Sequence, residues 1–159
     1  MALTISETSP DFVLGSDKNI VAILWRGETA VAHIRELSAA IADAHVGAGP
    51  SVRLFQVMPP DAPPPDGETR REIARVLKSQ NGVVSHSAIV QLGSGFRASV
   101  VRSIVTGIVR MSNPGYPHRV FSSVADACAW IHEETGCQQD LHLTAQLEDF
   151  FARAESHSN

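Results

Sequence analysis

The chain is short of the residues that mark several common protein classes. Its 159 residues include two cysteines, too few for a disulfide scaffold, and two lysines, Lys18 and Lys78. Basic residues do not outnumber acidic ones, and the formal net charge is -4. Because phosphate binding needs clustered Lys and Arg, this balance argues against nucleic acid as a partner.

Long apolar runs are also missing. No stretch approaches the roughly 18 consecutive apolar residues of a membrane-spanning helix, so we predict no membrane insertion. The N-terminus has no basic segment followed by an apolar run, so we predict no signal peptide. These two absences favour a cytoplasmic location.

What is present is typical of one globular domain. Hydrophobic residues make up 43% of the chain and charged residues 19%. Residues 1–11 carry little pattern and are predicted to be a loose tail. Residues 12–135 form the predicted domain, and residues 136–159 a C-terminal docking helix and tail. Strand and helix patterns alternate through the domain, which predicts an α/β fold with a mostly parallel central sheet of about five strands, an antiparallel N-terminal hairpin and covering helices.

The individual elements follow from apolar spacing and turn residues. We predict strands at residues 12–16, 20–25, 52–58, 86–92 and 118–121. We predict helices at residues 30–44, 68–79 and 96–111, one that runs through Ile131, and a last one at residues 141–154. The expected N-caps are Thr29 for the first helix, Asp66 or Thr69 for the second, and Ser122 or Ser123 for the fourth.

The predicted helix over residues 96–111 is the most apolar one. Its six branched side chains wrap much of its circumference: Val100, Val101, Ile104, Val105, Ile108 and Val109. Such a helix is sandwiched in a core or shared with a second subunit, so we predict a homodimer through this helix.

Three residue patterns together resemble a known family. The first is the apolar strand from Ile20 to Gly27 followed by Thr29 and a helix. The second is the turn Gly95-Phe96-Arg97 that opens the apolar helix. The third is the closing segment with Val120, Phe121, Ala127, Ala129, Trp130 and Ile131. In this order they are similar to SpoIIAA-like members of the STAS superfamily, and to bacterial proteins labelled STAS- or SEC14-like.

This resemblance implies a STAS-like fold but not the phosphoswitch of anti-sigma antagonists. In that group a serine at a helix N-terminus takes a phosphate, which free amides and the helix dipole stabilise. Here residues 59–65 contain five prolines, a stiff and exposed connector, and no serine precedes the helix. Thr69 is the only hydroxyl there and the only candidate regulatory residue.

The best candidate site is an anion-binding turn formed by Gly93, Ser94, Gly95 and Arg97, with Arg102 five residues after Arg97. A glycine turn between strand and helix exposes backbone amides, and the arginines add positive charge. The alternative is that the glycines only allow a tight turn and the arginines lie on a solvated face. Dinucleotide, Walker and Gly-x-Ser-x-Gly fingerprints are absent, so Ser94 is not expected to be a nucleophile.

We predict neither a metal site nor a cofactor. Cys128 and His132 have a spacing that suits two metal ligands, and Cys137 follows. The favoured interpretation is a buried thiol and a surface imidazole. The remaining histidines form no recognisable acid–base set with carboxylates, so the sequence predicts no enzyme.

Two functions remain. The favoured one is a non-enzymatic STAS-like regulatory or protein-interaction module, whose partner is a second copy or another protein. The alternative is a small-molecule or lipid-binding domain, with its site between the apolar helix and the proline-rich segment and an anion site at the 93–97 turn. Its ligand would be a small anionic or apolar molecule.

Overall fold

The computed structural model describes residues 2–48, 51–136 and 142–157, which form six strands and five helices. The strands are β1 (Thr4–Thr8), β2 (Phe12–Asp17), β3 (Ile20–Trp25), β4 (Val52–Met58), β5 (Val84–Gln91) and β6 (His118–Phe121). The helices are α1 (Val31–Ala48), α2 (Gly67–Ser79), α3 (Phe96–Ser112), α4 (Val124–Thr135) and α5 (Leu143–Ser156).

The strands form one sheet in sequence order. β1, β2 and β3 pair antiparallel, and β3, β4, β5 and β6 pair parallel. Each of the three crossovers steps in the same direction across the sheet. Because such crossovers are right-handed, α1, α2 and α3 all lie on one face. α4 and α5 cover the other face.

The predicted α/β architecture is therefore confirmed, with one correction. The sheet has six strands, because Thr4–Thr8 form β1, and the prediction of a loose tail is wrong for this segment. β1 is an edge strand, and most of its side chains are exposed. It therefore lacks the apolar alternation that identifies a half-buried strand. It pairs with β2, and Arg153 of α5 donates from Nη2 to the carbonyl oxygen of Leu3, the residue before β1, at 2.8 Å.

Side-chain caps begin two of the helices. Asp66 accepts a hydrogen bond from the Thr69 amide at 2.7 Å and caps α2. Ser123 accepts one from the Asp126 amide at 3.1 Å and caps α4. The predicted cap of the first helix is displaced by one residue. α1 begins at Val31, which puts Ala30 rather than Thr29 at the N-cap.

The apolar side chains of α3 that face the sheet and α2 are covered within the chain. Val101, Val105 and Ile108 are buried against the sheet and α2, and Ile104 and Val109 are half-buried beside them. A second subunit is not needed to cover them, and the homodimer stays a prediction.

α5 lies against the opposite face, where Leu143, Leu147 and Phe150 are fully buried. It comes so close to β2 that a Cβ on Gly15 would overlap the Phe150 ring. None of the helices described is long and apolar enough to cross a membrane.

Candidate functional site

The turn at residues 93–97 has the backbone geometry expected of a strand-to-helix glycine turn. Gly93 and Gly95 have φ values of 82° and 101°, which side chains other than glycine rarely adopt. Gly93 also packs on the proline-rich segment, since a Cβ there would lie 2.6 Å from Cβ of Pro60. Gly95 is the N-cap of α3 and supplies no side-chain hydrogen bond. The backbone conformation therefore explains the presence of both glycines, and the contact with Pro60 is a second reason for Gly93.

The two arginines of the predicted anion site are placed differently. Arg97 is exposed in the first turn of α3, close to Ser94 and Gly95, which are exposed as well. Arg102 points its Nη2 at Ser122 Oγ, 3.4 Å away, in the turn before α4. A helix N-terminus with exposed neighbours is weakly selective, so anion binding by this turn stays a prediction.

Thr69, the candidate regulatory residue, is part of the fold. It is 2% exposed, and its amide and hydroxyl both bond to the capping Asp66. These bonds to Thr69 lower the pKa of the Asp66 carboxyl. A kinase would reach the hydroxyl only if the first turn of α2 opened.

The cysteine and histidine of the fourth helix show no metal-site geometry. Burial raises the pKa of Cys128 to about 11, so the thiol is protonated at neutral pH. Cys137 lies outside the described residues. Among the residues that the structure describes, no group of three or more His, Cys, Asp and Glu side chains is arranged to hold a metal ion.

The structure reveals a feature that the sequence analysis did not locate: an apolar cavity of about 60 Å³ between the sheet and α1, α2 and α3. The sheet supplies its floor with Trp25, Leu54, Gln56 and Ile89. The three helices supply its roof, with Ile34 and Leu37 of α1, Val76 and Leu77 of α2, and Val105 and Ile108 of α3. Pro65 places the end of the proline-rich segment beside it.

Gln56 is the polar group on the cavity floor. It lies in the middle of β4, a central strand whose other residues are buried, yet Gln56 itself is only half-buried. Its Oε1 accepts a hydrogen bond from Trp25 Nε1 at 3.3 Å. This bond fixes the orientation of the amide, so Nε2 is the atom that can donate to a molecule in the cavity.

His118, at the start of β6, is the second polar group of the cavity. The residue is half-buried, but both ring nitrogens are shielded and neither has a hydrogen-bond partner among the described residues. Burial lowers its pKa to about 4, so the ring is neutral at pH 7. A neutral imidazole carries one donor and one acceptor. Buried polar atoms normally have partners, which makes this ring the most unusual polar group near the cavity.

Two other polar side chains that line the cavity are already bonded. Tyr116 donates its hydroxyl to the Leu77 carbonyl at the end of α2, 3.1 Å away, and burial raises its pKa to about 12. Gln80 donates from Nε2 to Ser38 Oγ at 3.1 Å and so joins α2 to α1. These two bonds hold the roof helices in place, and Gln56 and His118 are polar groups available to a ligand.

A weak signal for these two residues exists in the sequence. Gln56 is the only amide side chain in the run from Leu54 to Met58, and the alternation of that strand puts it on the same face as Leu54 and Met58. His118 begins a short strand directly after Pro117. Neither pattern shows that α1, α2 and α3 leave a cavity between themselves and the sheet.

No family model, no curated protein and no solved structure matches this chain. The resemblance to the STAS superfamily therefore rests on its sequence patterns alone.

Proposed function

We propose that this protein is a non-enzymatic module that binds a small, neutral and largely apolar molecule in the cavity beneath α1, α2 and α3. One observation carries the proposal: Gln56, in the middle of a central strand, keeps a half-buried amide inside a largely apolar cavity. A pocket with apolar walls and a few polar groups that fix orientation is the usual form of a small-molecule site.

The cavity walls define the class of ligand. No Asp, Glu, Lys or Arg is among the described residues that line the cavity, so a charged group inside it would be unpaired and costly to bury. The Gln56 amide donates, and His118 can donate or accept. The ligand is therefore a neutral molecule with a hydroxyl or carbonyl group attached to a short hydrocarbon part.

The volume sets the size of the ligand. About 60 Å³ is less than half of the roughly 150 Å³ of an engineered cavity that binds benzene. A chain of a few carbon atoms fills this space. A longer chain enters in full only if the roof helices move, so affinity should stop rising at a definite chain length.

The regulatory role is part of the same proposal. The patterns that resemble STAS proteins support a STAS-like module, in which ligand binding would be the input and a protein contact the output. The homodimer and the cytoplasmic location accompany this proposal as predictions.

The test is a series of straight-chain alcohols from ethanol to octanol, with the carboxylates of the same lengths as controls. Shifts of the Ile, Leu and Val methyl signals measure binding to the full chain. We expect the alcohols to bind, each added methylene to contribute about 0.8 kcal/mol until the cavity is full, and the carboxylates to bind at least tenfold more weakly.

Two variants and one matched control locate the site. Gln56→Met and His118→Phe remove the polar groups and should weaken alcohol binding by about fivefold to tenfold. His86→Phe makes the same change at a half-buried histidine that contacts Trp130 on the opposite face of the sheet, and should leave binding unchanged. Absence of methyl shifts for every alcohol, or equal effects of His118→Phe and His86→Phe, would rule out this site.

A further inference from the structure

α2 and α3 lie side by side on the molecular surface, and the space between them is a groove. We define this α2–α3 groove by Arg70, Arg71 and Ala74 of α2 and by Ile104, Gly107 and Met111 of α3. Its volume is about 500 Å³, enough for several side chains of a partner. It is separate from the internal cavity, although Ile108 lies between the two.

The floor of the groove is apolar and partly uncovered. Ala74 and Ile104 are half-buried against the core. Met111 follows one helical turn after Gly107 and is 82% exposed, among the highest values for a large hydrophobic residue in the described chain. An exposed apolar patch with a charged border is typical of a protein-interaction surface.

Gly107 makes the groove deeper than packing within the chain requires. A glycine inside a helix is less stable than alanine because it loses more backbone entropy on folding. Apart from its chain neighbours and the nearby backbone of α3 itself, no heavy atom of the described residues lies within 4 Å of the point where a Cβ at Gly107 would be. The bare backbone at this position therefore leaves room for a molecule from outside.

The charged side chains that line the groove, and those that adjoin it on α3, are all arginines. Arg70 and Arg71 lie on the α2 side and Arg110 on the adjoining face of α3, whereas α3 contains no Asp or Glu. The nearby carboxylate of Glu72 is engaged on the α1 side of α2, where it accepts from Arg75 at 2.6 Å and Arg35 at 3.5 Å. In a chain of net charge -4, this surface is locally basic.

We propose that the α2–α3 groove is the docking site for an acidic amphipathic helix of another protein. The apolar side of that helix packs on Ala74, Ile104 and Met111, and its flanking carboxylates meet Arg71 and Arg110. Helices that bind in such grooves carry apolar anchors at positions i, i+3, i+4 and i+7. This inference goes beyond the proposed ligand function and does not require the cavity to be filled.

The probe is a fluorescein-labelled peptide of roughly 18 residues, with leucine at i, i+3, i+4 and i+7 of each repeat and alanine and glutamate elsewhere. Fluorescence anisotropy with the full chain measures its affinity. We expect saturable binding that weakens between about 50 and 300 mM NaCl, because salt screens the charged border. The same peptide with lysine in place of glutamate, and a shuffled one without an apolar face, should not bind.

Charge reversals test the border. Arg71→Glu changes an exposed residue of the groove and Arg110→Glu an exposed residue on the adjoining face of α3, and each should weaken peptide binding by about fivefold to tenfold. Lys18→Glu, in the exposed turn between β2 and β3, changes the net charge of the chain by the same amount and should leave the affinity unchanged. Arg70 is kept, because its Nε donates to the Pro65 carbonyl at 2.8 Å.

Gly107→Leu tests the floor without harming the fold. Leucine is the better helix former, so this variant should melt at a higher temperature than the parent protein, yet it should bind the peptide at least tenfold more weakly. Gly47→Leu is the matched control, because Gly47 also lies in a helix with no heavy atom near the position of a Cβ. It should retain full peptide binding.

Three results would overturn the proposal. The first is no saturable binding of the glutamate peptide at about 1 mM protein. The second is peptide binding that Gly107→Leu and both charge reversals leave unchanged. The third comes from sedimentation equilibrium: a dimer of the parent protein that Gly107→Leu converts to a monomer would identify the occupant as a second copy of this chain.

Discussion

Two side chains, Gln56 and His118, decide what the cavity can hold, and they act in different ways. Gln56 has its carbonyl oxygen bonded to Trp25, so its amide is a donor of fixed direction. His118 is a neutral ring with two unpartnered nitrogens, so it accepts from one group or donates to another. A hydroxyl group suits both residues, because it can accept from the amide and donate to the ring.

His118 should make folding stability depend on pH. Its pKa is about 4 in the folded chain, against an ordinary value of 6.5, because burial disfavours the charged ring. Between these values the unfolded chain binds more protons, so the stabilising contribution is complete above about pH 6.5 and is lost as the pH falls towards 4. Between pH 7 and 4.5 we expect this residue to account for about 2 kcal/mol of lost stability.

Urea unfolding of the parent protein and of His118→Phe at both pH values measures this contribution. His86, whose pKa is lowered by burial, and the carboxyl groups titrate in both proteins, so the difference between the two profiles isolates His118. If His118→Phe lost as much stability as the parent on acidification, the imidazole would not be buried and neutral in the folded state.

Among the structural elements, α4 shows how a local signal fixes a helix start. Two adjacent serines precede it, and the sequence leaves both as N-cap candidates. The structure assigns the cap to Ser123, which accepts from the Asp126 amide. Ser122 is exposed, and its only hydrogen bond in the described structure is a long one of 3.4 Å from Arg102.

Ser123→Ala should therefore lower the free energy of unfolding by about 1 kcal/mol, because it leaves an amide of the first turn without its partner. Ser122→Ala is the matched control and should change the same quantity by less than about 0.5 kcal/mol, as is usual for an exposed substitution. Guanidinium unfolding of both variants measures the two losses. Equal losses would contradict the assignment of the cap.

The elements also show where sequence patterns stop being informative. The parallel strands and their helices were predicted within a few residues, because apolar spacing and turn residues act locally. β1 was missed because an exposed edge strand such as Thr4–Thr8 carries no alternation. The cavity was missed because its volume depends on how three helices, distant in sequence, settle on the sheet. No residue pattern encodes the distance between these helices and the sheet.

Taken as a unit, the chain has two cores of different character on the two faces of one sheet. The core under α4 and α5 contains side chains such as Phe55, Phe150 and Leu147 with almost no exposed surface. The core under α1, α2 and α3 contains the cavity. If the core under α1, α2 and α3 lacks about 60 Å³ of packing, added hydrocarbon should stabilise the protein there. The same addition to the core under α4 and α5 should destabilise it.

Val105→Ile and Val57→Ile form the matched pair for this comparison. Val105 lines the cavity, so the added methylene should occupy it and raise the free energy of unfolding by about 0.5 to 1 kcal/mol. Val57 is 2% exposed on the filled face, so the same change should lower that free energy by about 1 to 3 kcal/mol through overpacking. Urea unfolding measures both values.

Val105→Ile should also weaken binding of the longest alcohol that fits the parent protein, because the new methyl group takes part of its space. Loss of stability in both variants would show that the cavity has no room for an extra methylene, and the ligand proposal would lose its physical basis.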